Sequence, residues 1–395
     1  MEKKTNLKFP FFLFSSSHNI EIQSIAYSLN LFLPTLFLII TSFFKDYNLT
    51  AELGILIGVN IIFTQIFSAN ARSIIISKKL TSSIYNYIIF RIIVSIILIC
   101  ANLFFFSIFE FSNKLLLLAV SFLIIFQWLN ELILTYFELK KKVSEFYFYI
   151  SICLIFIVFI IVDFFYHQNL IYVFFINNIL LLLFFLIFFL EIKKIKKKKI
   201  YLGKFFISSI TNKAFYSSFS ISFANLIWRL LIIQFCGKIL AGIYFASFAL
   251  GSLPGTLFNN TFGPTIIKNN IKVNKSLYLL KWAFLTVTIV LFFWSILNID
   301  QIFINLSYTQ IFGTFLSLLG SYFMIKGQYA RQYLIQKTQH QSFVFKIDAL
   351  YSLIIMMVVP ILYLLGGDKL IIIAFLVSSI IAHIVYKFTY DKFLK

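Results

Sequence analysis

The chain has 395 residues, 61% hydrophobic and 12% charged, with a mean hydropathy of +0.95 and a formal net charge of +20. That composition excludes a water-soluble globular domain and points to a polytopic membrane protein. At about 20 apolar residues per span plus short connections, there is room for roughly twelve spans and none for a large soluble domain.

The opening MEKKTNLKFPFFLFSSSHNIEIQ has the outline of a secretory signal, but His18 and Glu21 interrupt it and no small-x-small cleavage site follows. It reads as a cytoplasmic lead-in to the first span. Gaps in the apolar pattern predict helices at 22–43, 52–71, 85–109, 115–137, 146–165 and 169–190. A second set is predicted at 214–237, 239–266, 277–298, 301–325, 346–365 and 369–389. The expected class is an all-α polytopic membrane protein with about twelve transmembrane helices in two six-helix lobes around a central cavity. Cys100 and Cys153 fall inside spans and Cys236 at the end of another, with neither a metal-ligand spacing nor a disulfide framework.

Basic residues are retained on the cytoplasmic side, so alternate connections test the count. With the N-terminus inside, 29 of the 34 Lys and Arg lie on that side, and only Lys45, Lys114, Lys238 and Lys369 lie outside. One missed span would invert every later loop, so twelve spans with both termini cytoplasmic is the expected topology. The charge then follows from topology and from attraction to anionic lipid head groups, and calls for no nucleic-acid partner.

The longest polar run, EIKKIKKKKIYLGK from Glu191, separates six spans from six. The expected units are an N-terminal lobe at 1–190, a basic cytoplasmic linker at 191–213 and a C-terminal lobe at 214–395. Both lobes enter from the same side, so a repeat relating them would be parallel. LTAELGILIG (49–58) and GKILAGIYFA (237–246) open spans two and eight, and TQIFSANARSIII can be laid over GTLFNNTFGPTII.

Polar residues inside spans indicate where a cavity or a tight helix contact lies. Span seven carries Ser218, Ser222, Asn225 and Arg229 on one stripe. Span two carries Asn60, Thr64 and Ser68, leading to Arg72, and span one carries Ser24, Ser28 and Thr35 around Pro34. Span eight carries Ser247, Gly251, Pro254, Gly255, Asn259 and Asn260. The same positions fit helix–helix glue or a shared cavity, and their recurrence on the first two helices of each half favours the cavity. Arg229 is the one basic residue the topology leaves unexplained. It lies near the midplane, where two placements are open: lining a wet cavity, favoured by its stripe, or snorkelling outward past Trp228. Glu131 lies in the cytoplasmic half of span four, too deep to meet Arg229 directly. It fits a bond to a basic residue near the inner face, or a proton carrier.

This layout resembles the polysaccharide transporter family, the O-antigen flippase-like members of the multidrug/oligosaccharidyl-lipid/polysaccharide exporter superfamily. The local carriers are AELGILIGVNIIFTQIFSANARSII and AGIYFASFALGSLPGTLFNNTFGPTII. The resemblance implies a V-shaped cavity lined by spans one, two, seven and eight. It also implies a lipid-linked oligosaccharide cargo moved to the outer leaflet of a bacterial cytoplasmic membrane by alternating access. Basic residues would hold the pyrophosphate, and Arg229, Arg72 and Arg91 are the candidates here. Beyond the cargo and membrane lipids, other polysaccharide-assembly proteins are the partners it implies, with no cofactor.

Span one has no mid-span Asp or Glu for ion coupling, so membrane potential, a proton at Glu131 or consumption of product outside are the compatible energy sources. Two other classes compete. A multidrug exporter of the same superfamily fits the layout, although a cavity charged by Arg229 should repel cations. A polysaccharide polymerase or glycosyltransferase would need catalytic groups on a sizeable outer loop, and every outer loop here is short. No catalytic residue is assigned: Asp163 with His167 reads as a solvated loop end, and His383 as a packed, hydrogen-bonded histidine. No P-loop or metal motif occurs.

Overall fold

The computed structural model describes residues 18–68, 71–72, 75, 84–108, 111–166, 170–193, 213–258, 275–337 and 341–394. Among them there is no strand. The helices are α1 (His18–Phe43), α2 (Tyr47–Ser68), α3 (Ile84–Ile108), α4 (Lys114–Lys140), α5 (Val143–Tyr166), α6 (Leu170–Lys193) and α7 (Lys213–Leu257). After these come α8 (Lys275–Leu297), α9 (Leu306–Lys337), α10 (Gln341–Leu370) and α11 (Ala374–Leu394). Eight apolar stretches in the described residues are long enough to cross a bilayer, two of them, Phe215–Thr256 and Phe343–Lys392, long enough to cross twice. The protein is a multi-pass membrane protein.

Each of the twelve predicted spans coincides with a helix or an arm of one. Spans seven and eight are the two arms of α7, which folds back at Gly237. There φ is +74°, a conformation open to glycine and strained for other residues. Span ten runs to Lys337 rather than stopping near 325, so Arg331 lies inside a helix. Span eight is described only as far as Phe258, and the candidate Asn259 lies outside the described residues. So do most of the basic linker and His167.

Short connections are fixed by local chemistry. The α1–α2 turn places Lys45 at φ 62° and uses the Asp46 carboxylate to accept from the Leu49 amide at 3.1 Å. Asn113 caps α4 in the same way, accepting from the Leu116 amide at 3.1 Å, and Lys141 ends it in a left-handed conformation. At the end of α6, Glu191 takes Lys142 at 2.7 Å. Burial disfavours the Lys142 ammonium, but Glu191 and Glu145 outweigh it and hold its pKa above the ordinary lysine value.

Within α1–α6, α4 packs on α6 and α1 on α5; within α7–α11, α9 packs on α11 and α7. The two groups meet mainly where α1 and α2 pack on α7. Arg72, Lys140 to Lys142, Lys193, Arg331, Lys337 and Lys346 gather at one end of the helices, called here the basic end.

Exposure along the central helices is lopsided. Residues 49–60 of α2, 37–42 of α1 and 241–248 of α7 are buried on every face, all toward the end opposite the basic one. Toward the basic end, Gln65 and Asn225 are exposed, and Thr64 and Ser218 half-buried. The groups are therefore sealed together at the end opposite the basic one, while toward the basic end a cleft exposes Asn225 beside α2 and α7, which stay in contact through Ser222 with Gln65 and through Phe67 with Phe215, ring centroids 6.1 Å apart.

Candidate functional site

At the seam between α2 and the first arm of α7, a mid-span cation, Arg229, crosses from one helix group to the other. Gly54 and Gly58, one turn apart on α2, leave a slot. A methyl at Gly58 would lie 3.3 Å from Arg229 Cδ and 3.1 Å from Leu226, and one at Gly54 would overlap the Phe245 ring. Arg229 fills the slot: its Nη1–H donates to the Gly54 carbonyl, and its guanidinium carbon stands 5.8 Å from the Phe245 ring centroid. Trp228 turns away, onto Phe248 with ring centroids 5.2 Å apart. The arginine thus reaches into the seam between the helix groups and does not snorkel past Trp228.

The rest of the stripe divides by helix face. Ser222 is buried and donates to Gln65 Oε1 at 2.7 Å, again bonding α7 to α2. Ser217 points into the second group, toward Asp348, while the exposed Phe219 and Phe223 stack on the opposite flank. At 3.6 residues per turn, Asn225 and Ser218 project between the α2-facing and core-facing flanks, into the cleft that opens toward the basic end. Ile232, one turn past Arg229 on that side, is fully buried and closes it. Of the eleven candidate binding residues, Arg229, Asn225, Ser222 and Ser218 lie on or beside this seam, with Gln65, which sequence reasoning missed.

Asn259 apart, which lies outside the described residues, the others lie in the first group, among them Thr64, whose hydroxyl donates to the Asn60 carbonyl at 3.0 Å. Asn60 is fully buried and exchanges hydrogen bonds with Asn102 of α3 at 3.3 and 3.1 Å. Ser68 accepts from Trp128 Nε1 at 2.5 Å and from Arg91 Nη2 at 3.2 Å. Arg91 is 0% exposed, donates to the Trp128 carbonyl and pairs with Glu131 at 2.8 Å. Arg72 lies 3.5 Å from the Tyr27 ring centroid and pairs with Glu138 at 3.2 Å. Ser28 is half-buried on α1. Span eight's small residues serve packing too: Gly251 meets the α9 backbone at Ser317 and Leu318, and Ser247 donates to the Gln310 carbonyl at 3.0 Å.

Two smaller expectations are corrected. Asp163 is buried rather than solvated, because α5 runs on to Tyr166 and keeps it on the face of Phe156, which packs edge-on against Phe174. His383 is half-buried, but its Nδ1 has no hydrogen-bond partner.

Two further clusters were not anticipated. At the sealed end, Glu52 is 2% exposed and accepts from the Ser112 amide at 3.1 Å and hydroxyl at 2.7 Å. Lys238 of the second arm of α7 reaches it at 3.5 Å, across the seam. Beside this pair, the Tyr47 carbonyl presses against Gly242, where a methyl would overlap it. At the basic end, Arg331 grips Asp348 through Nε at 2.9 Å and Nη2 at 2.8 Å, while Ser217 and Tyr386 also donate to Asp348. The repeat held a signal for the first cluster: Gly54 and Gly242 are equivalent positions of LTAELGILIG and GKILAGIYFA. For the second, the signal was an acid entering an apolar helix 17 residues after an arginine.

An apolar recess of about 270 Å³, lined by Thr288, Ile289, Phe292, Phe315 and Leu319, lies between α8 and α9 and contains no charged group. It is apart from the seam.

No family model and no curated protein matches the chain. Solved structures do. An inward-facing multidrug resistance MATE family transporter of the MOP superfamily aligns with 97% of this chain and 96% of its own, at TM-score 0.53 and 12% identity. A MATE in complex with MaD3S aligns at TM-score 0.54 and 14% identity over 95% and 96%. A MOP superfamily transporter from Pyrococcus furiosus Vc1, described as having a binding pocket of reverse polarity, aligns at TM-score 0.51 and 14% identity over 95% and 96%. The chain shares the fold of the MATE transporters of the MOP superfamily.

Proposed function

We propose that the protein is a flippase that moves a polyprenyl-pyrophosphate-linked oligosaccharide from the cytoplasmic to the outer leaflet for cell-surface polysaccharide synthesis. The basic end is cytoplasmic in this reading, and the membrane is the bacterial inner membrane. The lobes are 1–190 and 214–395, joined by the linker at 191–213, and they rock about the α2–α7 seam.

The observation that carries the reading is Arg229. It lies deep in the apolar layer at the head of the cleft and, among the described residues, has no carboxylate in ion-pair contact. One donor is used by the Gly54 carbonyl, and the planar fork has others left for phosphate oxygens. Asn225, Ser218 and Gln65, along the open stretch of the cleft, supply neutral hydrogen-bonding groups suited to sugar hydroxyls. The polyprenyl tail stays in lipid.

Multidrug export is the second reading, favoured by the MATE structures that share the fold. An unpaired acid in the cleft would favour a cationic drug. Glu131, Glu138, Asp348 and Glu52 are each matched by a cation, and the buried Asp163 lies on α5, away from the seam. Reconstituted vesicles separate the two: transfer of a labelled polyprenyl-pyrophosphate oligosaccharide between leaflets supports the flippase, and efflux of a cationic dye supports the exporter.

A further inference from the structure

At the basic end of the second helix group, three basic side chains converge where α9 touches α11. Gly327 of α9 packs so closely that a methyl there would lie 3.2 Å from the backbone of His383. Lys326 precedes that glycine, and Lys387 follows His383 by one turn of α11. The His383 ring rests on Phe323 with centroids 6.0 Å apart, and the Lys326 Nζ stands 4.2 Å from the centroid of the Tyr322 ring. Both ammonium groups act electrostatically on the imidazole.

These charges are unlike the paired cations elsewhere at this end. Arg72, Arg91, Lys142 and Arg331 each hold a carboxylate. Neither Lys326 nor Lys387 is in ion-pair contact with an acid among the described residues, Asp391 one turn further on included. The surround is apolar and outward-facing, with Tyr322, Ile384 and Phe388 exposed. Lys387 lies four residues before Asp391, roughly 6 Å along the helix, which puts its ammonium near the boundary of head groups and acyl chains, with His383 one turn deeper. Topology alone explains why lysines lie at this end. It does not bring two of them and a histidine onto one helix crossing with no acid among them.

We propose that Lys326, His383 and Lys387 form a phosphate site on the α9–α11 surface that takes the head-group phosphate of an anionic lipid from the leaflet at the basic end. The two ammonium groups bracket the phosphate, the imidazole donates between them, and the acyl chains lie along Ile384 and Phe388. Clustered basic residues between helices at this depth are suited to such head groups. The site does not depend on what the cleft transports.

The test is retention of phosphatidylglycerol by the purified full-length protein, followed by native mass spectrometry, with phosphatidylcholine and inorganic phosphate as comparison ligands. Preference for phosphatidylglycerol over phosphatidylcholine is expected, weakening about fivefold for each lysine removed, in K326Q, K387Q and the double variant. K326R/K387R should keep the preference, which separates a lost charge from a damaged fold. Inorganic phosphate that displaces phosphatidylglycerol shows that the site reads the phosphate itself, and lack of competition shows that the acyl chains are needed too. Unchanged retention in a folded K326Q/K387Q protein, or equal retention of the two lipids by the unmodified protein, overturns the proposal.

Discussion

The guanidinium of Arg229 on α7 donates to the backbone carbonyl of Gly54 on α2, so a side chain of one helix group is bonded to the main chain of the other at mid-membrane. An arginine at the centre of an isolated span costs about 3 kcal/mol on insertion scales. Here the Gly54 carbonyl and the Phe245 ring offset part of that cost, and the bare α2 backbone makes the approach possible.

Gly58 should therefore be intolerant of bulk. Gly58→Val would push against Arg229 Cδ and Leu226, and overpacking of this kind costs about 1–3 kcal/mol. Cross-linking by a short bis-maleimide between cysteines at Gln65 and Ser222, whose side chains are bonded at 2.7 Å in the native seam, should fall with the valine and change little with Gly58→Ala. Unimpaired cross-linking in Gly58→Val would remove the slot from the account.

The sealed end rests on Glu52 with Lys238 and on the bare backbone of Gly242 against Tyr47. Cys236, half-buried beside the bend, is a natural reporter, read in a background with Cys100 and Cys153 replaced. Glu52→Gln should speed its reaction with a water-soluble maleimide about fivefold, the factor for about 1 kcal/mol of lost ion pairing. Gly242→Ala should speed it further, because the obstructing atom is backbone and cannot rotate aside. Labelling rates equal to the parent in both variants would mean that this contact does not hold the end shut.

Asp348 is buried and takes four hydrogen bonds from Arg331, Ser217 and Tyr386. Asp348→Asn leaves Arg331 uncompensated and should cost about 3–5 kcal/mol, seen as a lower unfolding temperature in detergent. Replacing both partners, Asp348→Leu with Arg331→Met, should recover most of that loss. A double variant as unstable as the single one would show that packing, and not charge, sets the effect.

Much of this architecture was legible before the structure. Hydropathy located the spans because lipid demands continuous apolar helices, and the basic residues alternated because topology is set by charge. The direction of Arg229 was half legible: its stripe pointed away from Phe219 and Phe223, but its partner is a carbonyl, which leaves no trace in residue type. Asn60 and Ser68 look in sequence like Ser222 and Asn225, yet two bond within the first group and two lie at the seam. Spacing along one helix fixes a face and not the neighbour that covers it. Arg331 lies beyond the expected end of span ten near 325, where apolar character stops, whereas the helix runs on to Lys337 and Asp348 pairs with the arginine there.

Glu131 sits 2.8 Å from Arg91, and the pair is largely enclosed. A proton carried there would have to displace the guanidinium. Paired replacement, Glu131→Met with Arg91→Met, should give a folded protein whose transport has the parent's dependence on pH between 6 and 8. Loss of a pH-driven component in that variant would assign coupling to Glu131.

The central claim is that the cleft below Arg229 carries an anionic lipid-linked sugar. The direct measurement is the rate at which a labelled polyprenyl-pyrophosphate oligosaccharide passes between leaflets of vesicles holding the full-length protein, Arg229→Ala or Arg229→Lys. The account requires transfer by the parent, a loss of tenfold or more in the alanine variant, given about 1.5–3 kcal/mol for a charge-assisted hydrogen bond, and a partial loss in the lysine variant. Undiminished transfer by folded Arg229→Ala would contradict the site, and no transfer by the parent together with export of a cationic dye would contradict the function.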